Sequence, residues 1–169
     1  SIAAVGPNML KLAGEACDGV HLHPFCTRAY IEEVATPQIE QGLAESGKAR
    51  ENFQIAGGGF LATGKTDEDV ARVLEWVRYR IAFYGSTPSY WPVLEHHDLG
   101  DMGRKLNKMT KAGQWDQLAA EISDDVLSLF TASGRYEQLV ESVELRFGGA
   151  IDMLYASLSS DQLPAIPAE

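Results

Sequence analysis

The chain has 169 residues, 45% of them hydrophobic and 22% charged, the composition of a globular protein with enough length to bury one core. A formal net charge of −10 argues against nucleic-acid binding, because phosphate backbones demand a basic face. No apolar run reaches the ~18 residues of a membrane span and no signal peptide is visible, so Cys17 and Cys26 read as free thiols of a reducing, cytoplasmic setting.

In chain order, Ile2–Val5 predicts a short apolar strand that runs directly into Gly6-Pro7-Asn8. A one-sided helix follows through Glu15, and a second strand, Gly19–His23, begins almost at once. Strand, helix and strand with so little linker make a βαβ unit, the repeat of parallel α/β folds. The chain opens on this strand, as expected in the middle of a domain. The turn after it carries its own chemistry. Gly6 lets the backbone approach a ligand, Pro7 suits a first helical turn, and the helix start offers N–H groups to an anion.

Arg28–Ala44 places Tyr30, Ile31, Val34, Ile39 and Leu43 on a helical period, with Pro37 expected to kink or split it. Phe53–Gly58 predicts a third strand. Thr66 is the expected N-cap of a helix over Asp67–Phe83, whose stripe is Val70, Val73, Leu74, Val77 and Ile81. Short helices are then expected at Tyr90–His96, Met102–Lys111, Trp115–Ser123, Asp125–Ala132 and Tyr136–Phe147. Turn signals at Pro88, Gly100, Gly113 and Gly134 separate them. Ala150–Tyr155 predicts the fourth strand, and residues 157–169, with Pro164 and Pro167, read as a loose tail. Four βα units amount to half of an eight-stranded barrel, which takes about 250 residues. The expected class is therefore α/β of the TIM-barrel type. Residues 1–156 would form four parallel βα units, with extra helices before the last strand.

Several motifs compete for a function. Gly59-Phe60-Leu61-Ala62-Thr63-Gly64-Lys65-Thr66 fits the phosphate-loop pattern letter for letter, between a strand and a helix. Asp67, Glu68 and Asp69 count against it, since they would set carboxylates beside the nucleotide phosphates. His21 and His23 alternate on one strand and face one side, but no third ligand motif follows and no metal is expected. Trp76, Trp91 and Trp115 lie on expected helices and read as core anchors. Burial is the expected state of Cys26. His96-His97 closes a helix, where imidazole complements the dipole.

The run Ala3-Ala4-Val5-Gly6-Pro7-Asn8-Met9-Leu10-Lys11-Leu12-Ala13-Gly14-Glu15, followed by Asp18-Gly19-Val20-His21-Leu22-His23-Pro24-Phe25, resembles the luciferase-like monooxygenase family. Within it, the similarity is to the branch of oxidoreductases that use the deazaflavin coenzyme F-420. Ile81-Ala82-Phe83-Tyr84-Gly85-Ser86-Thr87-Pro88, Tyr90-Trp91-Pro92-Val93-Leu94, Gly113-Gln114-Trp115-Asp116 and Phe147-Gly148-Gly149-Ala150-Ile151-Asp152 carry the same resemblance. It implies the C-terminal half of a TIM barrel, with coenzyme F-420 or FMN held at the C-terminal ends of the strands. It further implies a cofactor phosphate at Val5, Gly6, Pro7 and Asn8, with amides of Met9 and Leu10 as donors. His23, Pro24, Phe25 and Cys26 end the next strand, where His23 and Phe25 would border the cofactor and His23 is the catalytic candidate. The implied reaction is hydride transfer or oxygenation of a small organic substrate. The expected partner is the missing N-terminal half or a second copy. The alternatives are a phosphate-loop NTPase using Gly64, Lys65 and Thr66, and a non-catalytic interaction domain.

Overall fold

The computed structural model describes residues 1–155. Among them the strands are Ile2–Ala4 (β1), Gly19–Leu22 (β2), Gln54–Gly57 (β3), Phe60–Gly64 (β4), Thr131–Arg135 (β5) and Met153–Leu154 (β6). β1, β2, β3 and β6 form one sheet in that order, and every pairing in it is parallel. The α-helices are Pro7–Ala16 (α1), Arg28–Tyr30 (α2), Thr36–Ser46 (α3), Asp67–Gly85 (α4), Trp91–Glu95 (α5), Gly100–Lys111 (α6), Asp124–Phe130 (α7) and Leu139–Phe147 (α8). The four expected strands are thus present and parallel, with tighter limits. The expected tail over 157–169 lies outside the described residues.

Alternation along the strands gives the sheet two different faces. Val20, Leu22 and Ile55 are buried. On the other side, the register aligns Ala3, His21, Ala56 and Met153 in a single row. Met153 is 41% exposed and Tyr155, two residues on, is 47% exposed. This second face is where the interior of a barrel lies.

α1 packs on α3 almost backbone to backbone. A Cβ added at Gly42 would stand 2.1 Å from the Lys11 carbonyl oxygen, and one at Gly14 would stand 2.3 Å from that of Ile39. Only glycine permits this crossing. The helix is split ahead of Pro37, as expected. A π turn over Ile31–Ala35 closes with the Thr36 amide bonded to the Ile31 carbonyl, and Pro37 then sits in the first turn of α3, where its missing N–H costs nothing.

The stretch from Gly57 to Gly64 departs from expectation. Gly57 and Gly58 take φ of 155° and 123°, values that disfavour side chains, and a Cβ at Gly59 would lie 2.2 Å from the Phe130 carbonyl oxygen. This glycine run lets the chain leave the first sheet and continue as β4. β4 pairs in parallel with β5 from Phe60↔Thr131 to Gly64↔Arg135. Two readings fall with it. Residues 60–64 are strand rather than a phosphate-cradling loop, with Lys65 exposed, so the phosphate-loop alternative has no loop to use. The helix expected over Asp125–Ala132 ends at Phe130, and Gly134 lies inside a strand instead of a turn.

Trp76 and Trp115 are a further correction. They are 48% and 42% exposed, because the buried face of α4 is Val70, Val77, Ile81 and Ala82, and Trp76 lies off it. Only Trp91 is drawn inward, donating its indole N–H to the Gly85 carbonyl at 3.1 Å. The Thr66 cap is as expected. Asp69 donates its amide to Thr66 Oγ1 at 3.1 Å, and Thr66 returns its amide to the Asp69 carboxylate at 3.2 Å.

Candidate functional site

The C-terminal ends of β1 and β2 bring together the residues singled out by sequence. Gly6 is the N-cap of α1, with φ −81° and ψ 156°, a conformation open to any residue. An added Cβ would meet no atom within 4 Å, so neither conformation nor packing demands glycine here and the space beside the turn is open. No side chain caps this helix and no acid lies in its first turn. The usual N-terminal stabilisers are missing from a positive helix end.

The donors are not the expected ones. The Met9 and Leu10 amides both bond to the Gly6 carbonyl at 3.1 Å, so neither points outward. Among the described residues, the amides of Gly6 and Asn8 have no acceptor and remain available. The Val5 carbonyl is tethered by the Tyr30 hydroxyl at 3.1 Å. Burial pushes that phenol up to about 12, so it stays a neutral donor. Tyr30 was visible in the sequence only as an apolar helix position. Its hydroxyl role depends on α2 packing against the β1–α1 turn.

His23 ends β2 inside an aromatic cluster. Its ring centroid lies 4.4 Å from Tyr84 and 4.8 Å from Tyr90, and its Nδ1 accepts the Phe25 amide at 3.0 Å. Burial, reinforced by the Arg80 cation, holds this imidazole below its ordinary value. His23 is therefore neutral at pH 7, with Nδ1 as acceptor and Nε2 carrying the proton. Arg80 donates to Tyr84 Oη at 2.5 Å and lies 5.3 Å from the Trp76 ring centroid. Arg80, Tyr84 and Tyr90 come from α4 and the segment after it, 57 or more positions beyond His23, and no local spacing could have joined them to it.

Phe25 does not border open space. It is fully buried and stacks on Phe130 at 4.6 Å, so it supports the loop that carries His23. Cys26 is buried, and burial pushes its thiol up to about 12, which leaves it unreactive. His21 faces the same side as His23. It shares a 2.8 Å hydrogen bond with Ser1 and stacks on Tyr155 at 5.1 Å. Among the described residues no three His, Cys, Asp or Glu side chains converge as a metal site. His97 bonds Thr27 at 2.7 Å, and His96 lies 3.3 Å from Glu33. No helix is long and apolar enough to cross a membrane among those residues.

The chain is similar to known proteins along most of its length. An uncharacterized protein of Mycobacterium tuberculosis is 37% identical over 151 residues, covering 89% of this chain and 44% of that protein. The 5,10-methylenetetrahydromethanopterin reductase of Archaeoglobus fulgidus is 31% identical over 162 residues, covering 92% and 47%. Among solved structures, the coenzyme F-420-dependent tetrahydromethanopterin reductase of Methanopyrus kandleri superposes with a TM-score of 0.69 at 23% identity, over 92% of this chain and 44% of that one. An F-420-dependent secondary alcohol dehydrogenase superposes with a TM-score of 0.60 at 17% identity, over 91% and 41%. This chain thus spans less than half the length of these relatives. Residues 1–152 match the luciferase-like monooxygenase family, and the chain belongs to that family.

Proposed function

We propose that this chain supplies the phosphate-binding end and one wall of the site in a coenzyme F-420-dependent oxidoreductase acting on a small organic substrate. The observation that carries this reading is the β1–α1 turn. It combines an N-cap glycine with open space at its Cβ position, available amides at Gly6 and Asn8, and a helix start without carboxylates. A phosphate at this position meets donors, the positive helix end and no competing anion. The relatives named for coenzyme F-420 favour the deazaflavin over FMN.

When bound, the deazaflavin would supply the hydride chemistry, and the protein's part is to bind and orient. Tyr30 holds the Val5 carbonyl, which keeps the turn in the geometry that exposes the two amides. Neutral His23, backed by Tyr84 and Tyr90, offers an Nε2 proton on the same mouth of the sheet. It would orient a ring or substrate oxygen by donating to it. The row Ala3, His21, Ala56 and Met153 would form the inner wall. A further set of strands or a second copy would cover it.

The test is a fluorescence titration of coenzyme F-420 with wild type and Gly6→Val. The added side chain starts in the open space at the Gly6 Cβ position, beside the available amides. Affinity should fall at least about tenfold, the loss of one or more charge-assisted hydrogen bonds. Equal affinity in both proteins would remove the turn from the site.

A further inference from the structure

A second concavity is built from residues that the β1–α1 turn does not use. It encloses about 420 Å³ between α4, α7, β5 and α8. Thr131 and Ser133 alternate on β5 and so face the same side. Ser142 and Arg146 come from α8, four residues apart on one helix face.

The charges in this cleft are unevenly settled. Arg78 donates Nε to Glu75, Nη2 to Asp124 and Nη1 to the Ile122 carbonyl, which also settles both carboxylates of the lining. Arg146 has no ion-pair partner or hydrogen-bond acceptor among the described residues. The charge that acts on it is the like charge of Arg28, itself held by Glu32 and the Leu145 carbonyl. Burial and this like charge lower the Arg146 guanidinium from its ordinary value. Thr131 is only 5% exposed, and its hydroxyl has no partner among the described residues. Ser142 Oγ accepts the Ser133 amide at 3.0 Å, which leaves its own O–H to donate elsewhere.

A cation without an anion and a buried hydroxyl without a partner thus share one concavity. They do so in a chain of net charge −10, in which six of the eight arginines pair with a carboxylate and, among the described residues, Arg80 and Arg146 do not. We propose that this cleft binds a phosphate group, either inorganic phosphate or the phosphate of a small monoester. Arg146 pairs with its charge, and the Thr131 and Ser142 hydroxyls donate to its oxygens. Donors arriving from a strand and a helix suit a tetrahedral acceptor, whereas a planar carboxylate would leave part of the set unmet.

Calorimetric titration of the Gly6→Val chain isolates the cleft from the β1–α1 turn, with inorganic phosphate and glycerol phosphate as separate probes. Saturable binding is expected. It should weaken about tenfold in Gly6→Val/Arg146→Gln and by less in Gly6→Val/Thr131→Val, with Arg146→Lys restoring part of it. Tighter binding of glycerol phosphate identifies a monoester site, and tighter binding of inorganic phosphate identifies a free-anion site. Circular dichroism and melting temperature confirm that each variant is folded. Absent binding, or equal affinity in the folded Arg146→Gln and Thr131→Val variants, would overturn the proposal. If phosphate binds wild type but not Gly6→Val, the β1–α1 turn is the phosphate site and the cleft is not.

Discussion

Gly6 and Tyr30 act on one turn from opposite sides of the β1–α1 connection. Gly6 leaves space, while Tyr30 removes freedom by tethering the Val5 carbonyl. His23 carries the pH dependence of this region. Its folded-state value lies below the 6.5 of a free imidazole, because burial and Arg80 disfavour the charged ring. As pH falls below 6.5, the unfolded chain takes up the proton first and folding stability declines. His97, lowered mainly by burial, acts in the same direction. Asp69, lowered first by its Thr66 hydrogen bond, adds its loss only below 3.8. The melting temperature should therefore drop between pH ~7 and ~5, and His23→Gln should flatten part of that drop. An unchanged slope in the variant would show that His23 is not desolvated as described. The sequence placed His23 at a strand end correctly. It could not supply Tyr84, Tyr90 or Arg80, because those contacts are made across the fold rather than along it.

At the scale of elements, glycine decides where backbones meet. α1 and α3 touch through Gly14 and Gly42, so Gly42→Ala must push the helices apart or distort them. Destabilisation of about 3 kcal/mol is expected, at the upper end for overpacking, and denaturant unfolding measures it. A loss below about 1 kcal/mol would mean that the crossing relaxes freely. The α1 and α4 helices were legible from apolar period and capping residues, as the Thr66–Asp69 box illustrates. β4 was not. Its letters, Gly59 to Thr66, satisfy a phosphate-loop pattern, yet residues 60–64 spend their hydrogen bonds on β5. A motif fixes residue types at intervals. Whether those intervals form a loop depends on a partner strand about seventy positions away.

For the molecule as a whole, the face of the four-stranded sheet that carries Met153 and Tyr155 is the governing feature. Met153 and Tyr155 stand on it in water, and β1 is an edge strand of that sheet. Apolar surface is worth roughly 25 cal/mol per Å² when covered, and an uncovered strand edge invites pairing. The chain should associate with itself, most simply as a two-fold pair. Sedimentation velocity over a concentration series should show the shift to dimer, and Met153→Asp should reverse it. A chain that stays monomeric at every concentration would show that this face needs no cover.

The sequence by itself determined the βαβ rhythm, the four parallel strands and the family. Each of these rests on local period, turn residues and ordered motifs that survive without knowledge of distant contacts. Only the tertiary structure decided the second sheet, the burial of Phe25, the exposure of Trp76 and Trp115, and which amides of the β1–α1 turn stay available. These depend on which segments meet in space, and the chain's own periodicities carry no record of that. Arg146 and Thr131, without partners among the described residues, belong to the same class, since an unmet partner shows only in the folded arrangement.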